Sequence, residues 1–110
     1  MWEVSLFTSS LGRSPVKDFL LQLQSGQRGK VTNCLKLLKE FGPGLRVPHS
    51  KKLSGYRNLF ELRTSGKSPV RLFYTNYQRG FIILHVFIKK SNKTPIGEIN
   101  IAVKRISLLT

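Results

Sequence analysis

The 110-residue chain predicts an α+β fold in the order β-α-α-β-β-β-α. Three observations point there. Apolar residues recur at helical spacing between Ser14 and Phe41 and again after Pro95. They alternate in twos from Leu59 to Tyr74, and they run almost unbroken through FIILHVFI, Phe81 to Ile88. Helices grouped before the strands, rather than alternating with them, argue for α+β over a parallel α/β sheet. One domain spanning 1–110 is expected, with enough chain for a single core and no internal repeat, linker or low-complexity segment.

Each element has a local cause. Trp2, Val4 and Leu6 alternate with Glu3, Ser5 and Phe7, the period of a short strand. Ser14-Pro15 supplies a helix cap followed by a proline at the first helical position, with Asp18 suited to the first turn. Val16, Phe19, Leu20 and Leu23 form that helix's apolar face, and Gly26 reads as its stop. A second helix carries Val31, Leu35 and Leu38 on one stripe with Cys34 beside it, and Gly42-Pro43-Gly44 ends it. The two make a helical hairpin.

Residues 45–55 read as a loop. Beyond it Phe60 and Leu62 face one way and Leu59, Glu61 and Arg63 the other. After the turn Ser65 to Pro69, Val70, Leu72 and Tyr74 oppose Arg71 and Phe73. Phe81 to Ile88 is apolar on both faces and is therefore expected to be central and covered on both sides. Thr94-Pro95 repeats the cap-plus-proline start, and Ile96, Ile99, Val103 and Ile106 share a stripe of the last helix.

Charge narrows the function. Nineteen Lys and Arg stand against five Asp and Glu, a net of +14. Residues 1–45 hold six basic and three acidic residues, whereas 46–110 hold thirteen and two. A field of this strength attracts polyanions, so a nucleic acid or an acidic protein is the expected partner. The lone Cys34 makes no internal disulfide, and neither it nor the two histidines has metal-site spacing, so no metal or cofactor is expected. No targeting signal is read in MWEVSLFTSS, and FIILHVFI is far shorter than the roughly 18 residues of a membrane span. A soluble, cytoplasmic protein without a membrane partner is the expectation.

In an antiparallel meander, the end of one strand lies beside the start of the next. Arg63, Arg71 and the pair Lys89-Lys90 are therefore expected at one end of the sheet, just before a helix N-terminus. Four cations with few acids nearby suit a polyphosphate chain. Glu61 shares a face with Arg63, either as an ion-pair partner or as a general base. His85, inside the most apolar strand, reads as a hydrogen-bonded core residue. His49, Lys51, Lys52, Arg57 and Lys93 are further candidates for nucleic-acid contact. Tyr56, Tyr74 and Tyr77 stack bases or pack, with packing favoured for Tyr74.

KKLSGYRNLFELR, VRLFYT, ILHVFIKKSNKTP and EINIAVKR, in that order, resemble the RelE/HigB superfamily of toxins from type II toxin–antitoxin systems, most closely its phage-derived HigB-like branch. The likeness runs from about Lys51 to Arg105. It implies a small antiparallel sheet packed on the helical hairpin, as in microbial RNases. It also implies an endoribonuclease, an mRNA interferase that cuts messenger RNA on the ribosome and is neutralised by a cognate antitoxin. Arg63, Arg71, Lys89 and Lys90 fall at basic positions of the family's active site, and Glu61 joins them as a catalytic candidate. The chain departs from the RelE pattern at Ile99, where a tyrosine contributes to catalysis, and at Leu59 and Glu61, where RelE has lysines.

Such cleavage needs no metal. The ribose 2′-hydroxyl attacks the adjacent phosphorus, while Arg63 and Arg71 hold the nonbridging oxygens and Lys89 or Lys90 protonates the leaving oxygen. Candidates for the base are Glu61, His49 or a lysine of depressed pKa. Two alternatives are a ParE-like inhibitor of DNA gyrase and a non-catalytic RNA-binding module.

Overall fold

A computed structural model describes residues 1–93 and 95–109. It contains β1 (Glu3–Leu6), α1 (Pro15–Gln22), α2 (Ser25–Phe41), a 3₁₀ turn (Gly42–Gly44), β2 (Ser50–Lys52), β3 (Phe60–Arg63), β4 (Val70–Tyr77), β5 (Gly80–Ile88) and α3 (Ile96–Ser107). The five strands form one sheet in the order β1-β5-β4-β3-β2. The α+β class is as expected, and the arrangement agrees with a small RelE-like fold. The sheet, however, is mixed rather than antiparallel, because β1 lies parallel to β5. Alternation within β1 carries no information about which neighbour it will join, or in which direction.

Ser14 caps α1, its Oγ accepting from the Lys17 N–H at 3.3 Å, and Pro15 opens the helix. Gly26 does not end α1. That helix stops at Gln22, Leu23 turns to extended backbone, and Gly26 lies in the first turn of α2. Gly42, with φ 54°, does end α2, and a Cβ there would run into the Trp2 indole. Gly80 sits where β1 meets β5, and a Cβ there would strike the Glu3 carbonyl oxygen.

Both faces of β5 are largely buried, as its apolar run foretold, and so are both faces of β4. The helical hairpin contributes Val16, Leu23, Val31 and Leu38 to a core shared with Leu62, Leu72, Phe73, Ile83 and Leu84. Register shifts between Phe73 and Tyr74, which pair with His85 and Ile83, so Leu84 is the extra residue of a bulge. Arg105 of α3 donates to the Leu84 carbonyl at 2.7 Å and stacks its guanidinium over Phe7, pinning α3 to the sheet.

Two further corrections concern the ends of the fold. Ser50–Lys52, read as loop, is an edge strand pairing with β3. It lacks apolar alternation because only Ser50 is buried, its hydroxyl sharing a 2.5 Å hydrogen bond with Tyr74. In α3, Pro95 occupies the cap position rather than the first turn, and the expected cap Thr94 lies outside the described residues. The buried stripe is Ile99 and Ala102 with half-buried Ile106, whereas Ile96 and Val103 are exposed. Val103 follows Ala102 by about 100° of helical turn and so faces outward.

Candidate functional site

Strand pairing builds the site. In an antiparallel ladder, directly opposite residues share a face. Arg63 of β3 stands opposite Arg71 of β4, which stands opposite Phe87 of β5. On the next rung of that face, Lys51, Glu61, Phe73 and His85 line up across β2 to β5. One face of the sheet therefore grades from charged at the β2–β3 side to aromatic at β5. Its aromatic side is closed by α3, whose Glu98 Oε2 lies 3.3 Å from His85 Nε2.

Two like-charged guanidinium groups side by side would repel, and like charges directly opposite destabilise a sheet. Glu61 resolves this. Its Oε1 lies 3.4 Å from Arg63 Nε and 3.8 Å from Arg71 Nε. The carboxylate is only 3% exposed, and among the described residues Oε2 has no hydrogen-bond partner. Arg71 is 8% exposed; its Nη1 donates to the Thr64 carbonyl at 3.2 Å, while Nε, turned to Glu61, has no acceptor within hydrogen-bond range among the described residues. Burial draws the Arg71 guanidinium below its ordinary value; Glu61 opposes the shift and Arg63 adds to it. A guanidinium remains charged throughout. Glu61 thus matches the ion-pair alternative, holding two arginines where β3 ends and β4 begins.

Beside these arginines opens a cleft of about 650 Å³, walled by α2 and by the ends of β3 and β4. Arg63, Arg71 and half-buried His49 line one side; Gly26, Gly29, Lys30 and Cys34 line the other. His49 is held through its backbone, whose carbonyl accepts from the Arg63 N–H at 2.9 Å. Lys30 reaches across to the β3–β4 turn, donating to the Ser65 carbonyl at 2.9 Å. Burial raises the Cys34 thiol, which donates to the Arg63 carbonyl at 3.4 Å, so Cys34 is an inert wall rather than a nucleophile.

The other candidates are dispersed. Lys89 reaches the same sheet end, its N–H bonding the Pro69 carbonyl at 2.8 Å, but its side chain does not line the cleft. Lys90 lines a different cleft with Phe19, Phe87 and Glu98. Lys51 and Lys52 are exposed on edge strand β2, and Lys52 shares a shallow hollow with Tyr56 and Arg57. Lys93 is exposed between β5 and α3. His85 is the hydrogen-bonded core histidine expected of it, held by Glu98 and flanked by Phe73 and Phe87. Tyr74 packs and bonds Ser50, and burial raises its hydroxyl. Ile99 is buried on the sheet-facing stripe of α3.

Sequence reasoning missed the α2 wall, with Gly26, Gly29 and Lys30. The available signal was SGQRGK itself, two glycines three residues apart inside a helical pattern. Among the described residues, no group of three or more His, Cys, Asp or Glu is placed to hold a metal ion, and no helix is long and apolar enough to cross a membrane.

Fold and cleft together define a small basic α+β domain with a cleft lined by cations at one end of its sheet. Residues 18–107 match the family model described as phage derived protein Gp49-like, and the chain belongs to that family, which is associated with the toxins of toxin–antitoxin systems. A comparison with curated proteins finds no match.

Proposed function

We propose that this protein is the toxin of a type II toxin–antitoxin pair and an endoribonuclease that cuts messenger RNA on the ribosome. The observation that carries the reading is the pairing of Arg63 and Arg71 across β3 and β4, with the Glu61 carboxylate between them, at the mouth of an otherwise cationic cleft. Two planar forks in a partly desolvated setting suit the nonbridging oxygens of a phosphodiester, where charge accumulates during in-line attack.

In this reading His49 is the base. It shares the cleft with both arginines, and its imidazole can act as a proton acceptor. His49 takes the 2′-hydroxyl proton, and the 2′-oxygen bonds to phosphorus. The bond from phosphorus to the 5′-oxygen breaks, and that oxygen takes a proton from Lys30 on the α2 wall of the cleft rather than from Lys89, whose side chain lies outside it. The products are a 2′,3′-cyclic phosphate and a free 5′-hydroxyl, with no metal required. Glu61 serves as the positioning partner of the arginines. Orientation of the RNA by the ribosome supplies part of the rate. A cognate antitoxin that covers the cationic face would block RNA and relieve the self-repulsion of a +14 chain together.

The test is induction of the wild type and of Arg71→Ala, followed by mapping of new messenger RNA 5′ ends with ribosomes present and absent. Ribosome-dependent cuts that vanish in Arg71→Ala are expected. Growth arrest without cuts, accompanied by double-strand breaks in DNA, would transfer the reading to gyrase inhibition. Salt-sensitive RNA binding with neither cuts nor arrest would leave a binding module.

A further inference from the structure

A second, smaller cavity lies on the sheet face opposite the arginines. Lys52, Phe60 and Tyr74 stand on one rung of the ladder, and strand alternation turns them away from Glu61 and Arg63. With Ser50 and Phe81 they line a cavity of about 230 Å³ beside edge strand β2, Pro43 and Leu45 completing its walls. That is below the roughly 300–1,000 Å³ of pockets for drug-sized ligands, and it suits a single planar ring system.

A cavity that stays empty is apolar, and this one is not. Half-buried Phe60 stacks on Tyr74 with centroids 5.3 Å apart, and Tyr74 meets Phe81 edge-on at 5.5 Å. Among these rings Ser50 and Tyr74, only 5% and 3% exposed, share one hydrogen bond of 2.5 Å between their hydroxyls. Each hydroxyl carries one proton, and only one of the two can lie between the oxygens. The other has no acceptor among the described residues. A buried donor left over in this way costs free energy until a ligand or a water accepts from it.

The rim is cationic. Arg46, Lys51 and Lys52 line the cavity, are exposed, and pair with no carboxylate among the described residues. One turn joins this cavity to the arginine cleft. Arg46 and Ser50 line the cavity and His49 lines the cleft, while the His49 and Ser50 N–H groups both bond the Arg46 carbonyl at 3.1 Å. A strand laid across the β2 edge therefore meets both.

We infer that this cavity is a nucleobase pocket for the RNA strand. A base packs against the Phe60 ring, its polar edge meets the Ser50 and Tyr74 hydroxyls, and its flanking phosphates lie against Arg46, Lys51 and Lys52. Only an unpaired base can enter, so the strand it holds is single. The inference rests on the RNA-cleaving reading and deepens it, because it fixes a second nucleotide away from the bond that is cut.

The test uses the whole chain, labelled for NMR at its rings, amides and guanidinium groups, and a short RNA carrying 2′-O-methyl groups so that it cannot be cut. A set of such RNAs carries one abasic nucleotide at each position in turn, and fluorescence anisotropy reads affinity. Intact RNA should shift the Phe60 and Tyr74 ring signals and the Ser50 amide. One abasic position should abolish those shifts and weaken binding about tenfold, with Arg63 and Arg71 still responding. Ser50→Ala/Tyr74→Phe removes both partners of the hydrogen bond and keeps the rings. It should bind intact RNA about fivefold more weakly at an unchanged melting temperature. Ring signals that stay put while Arg63 and Arg71 respond would overturn the pocket and leave the proposed function standing. No response at either place would overturn both. A free mononucleotide that moves the rings at the same concentration as the RNA would overturn the assignment to a strand. A lower melting temperature in the double variant with unchanged RNA affinity would make the hydroxyl pair a packing feature and overturn the pocket.

Discussion

Replacing Glu61 by glutamine tests the centre of the site. The side chain keeps its shape and one oxygen acceptor but loses the charge that holds Arg63 and Arg71 together. At 3.4 and 3.8 Å, the pairs attract by about 4–5 kcal/mol each at an effective dielectric of ~20. That is a gross figure, opposed by the desolvation of burying a carboxylate that is 3% exposed. The measurable quantity is the effect of leaving Arg71 buried beside Arg63 with no counter-charge, which for a buried pair is about 3–5 kcal/mol. Because Arg63 is 31% exposed and can turn to water, and because glutamine still accepts one hydrogen bond, the lower end applies. Urea unfolding should therefore show a loss of about 3 kcal/mol, with a fall in Tm of about 12 °C or more. The double variant Glu61→Gln/Arg71→Met should recover most of that loss, since both members of the buried pair are then gone. Uncleavable RNA should bind Glu61→Gln more tightly than wild type, because the cleft gains net positive charge. A loss within about 0.5 kcal/mol, the range of ordinary surface changes, would refute the buried triad. Normal RNA binding with complete loss of cleavage would instead return Glu61 to the role of base.

Three other outcomes follow from the same packing. Burial holds the His85 imidazole below its ordinary 6.5, more than the Glu98 bond raises it. The unfolded chain therefore binds the proton first, and stability should fall as pH drops through 6.5 toward the folded value. His85→Phe should flatten that part of a urea-midpoint-against-pH curve, whereas an unchanged slope would remove His85 as its source. Gly80→Ala would drive a Cβ into the Glu3 carbonyl, so β1 should detach, with faster amide exchange at Glu3–Leu6 and a loss of about 1–3 kcal/mol; full protection there would contradict the close approach. Phe73, fully buried against Phe87 and His85, should lose about 3–5 kcal/mol on change to alanine, checked by the same unfolding assay.

Much of this protein is legible in its residues taken in order. Periodicity located the helices and the three meander strands, Ser14-Pro15 placed the start of α1, and the two-sided apolar run of β5 declared a covered central strand. Local signals suffice where a side chain's environment repeats along its own element. Alternation likewise put Glu61 and Arg63 on one face, because that relation lies within a single strand. Register was decided only between strands: it set Arg63 directly opposite Arg71, drew both to Glu61, and left Lys90 on another cleft. Edge strand β2 and the parallel partner of β1 escaped notice for the same reason, since Ser50–Lys52 is held by backbone pairing rather than by a pattern of its own. Gly26 shows the limit most clearly. In the chain it resembles a helix stop, and only with α2 laid against the end of the sheet does it become the bare wall of a cationic cleft. A glycine records that no side chain is present, and what fills that space is a property of the neighbours brought up by folding.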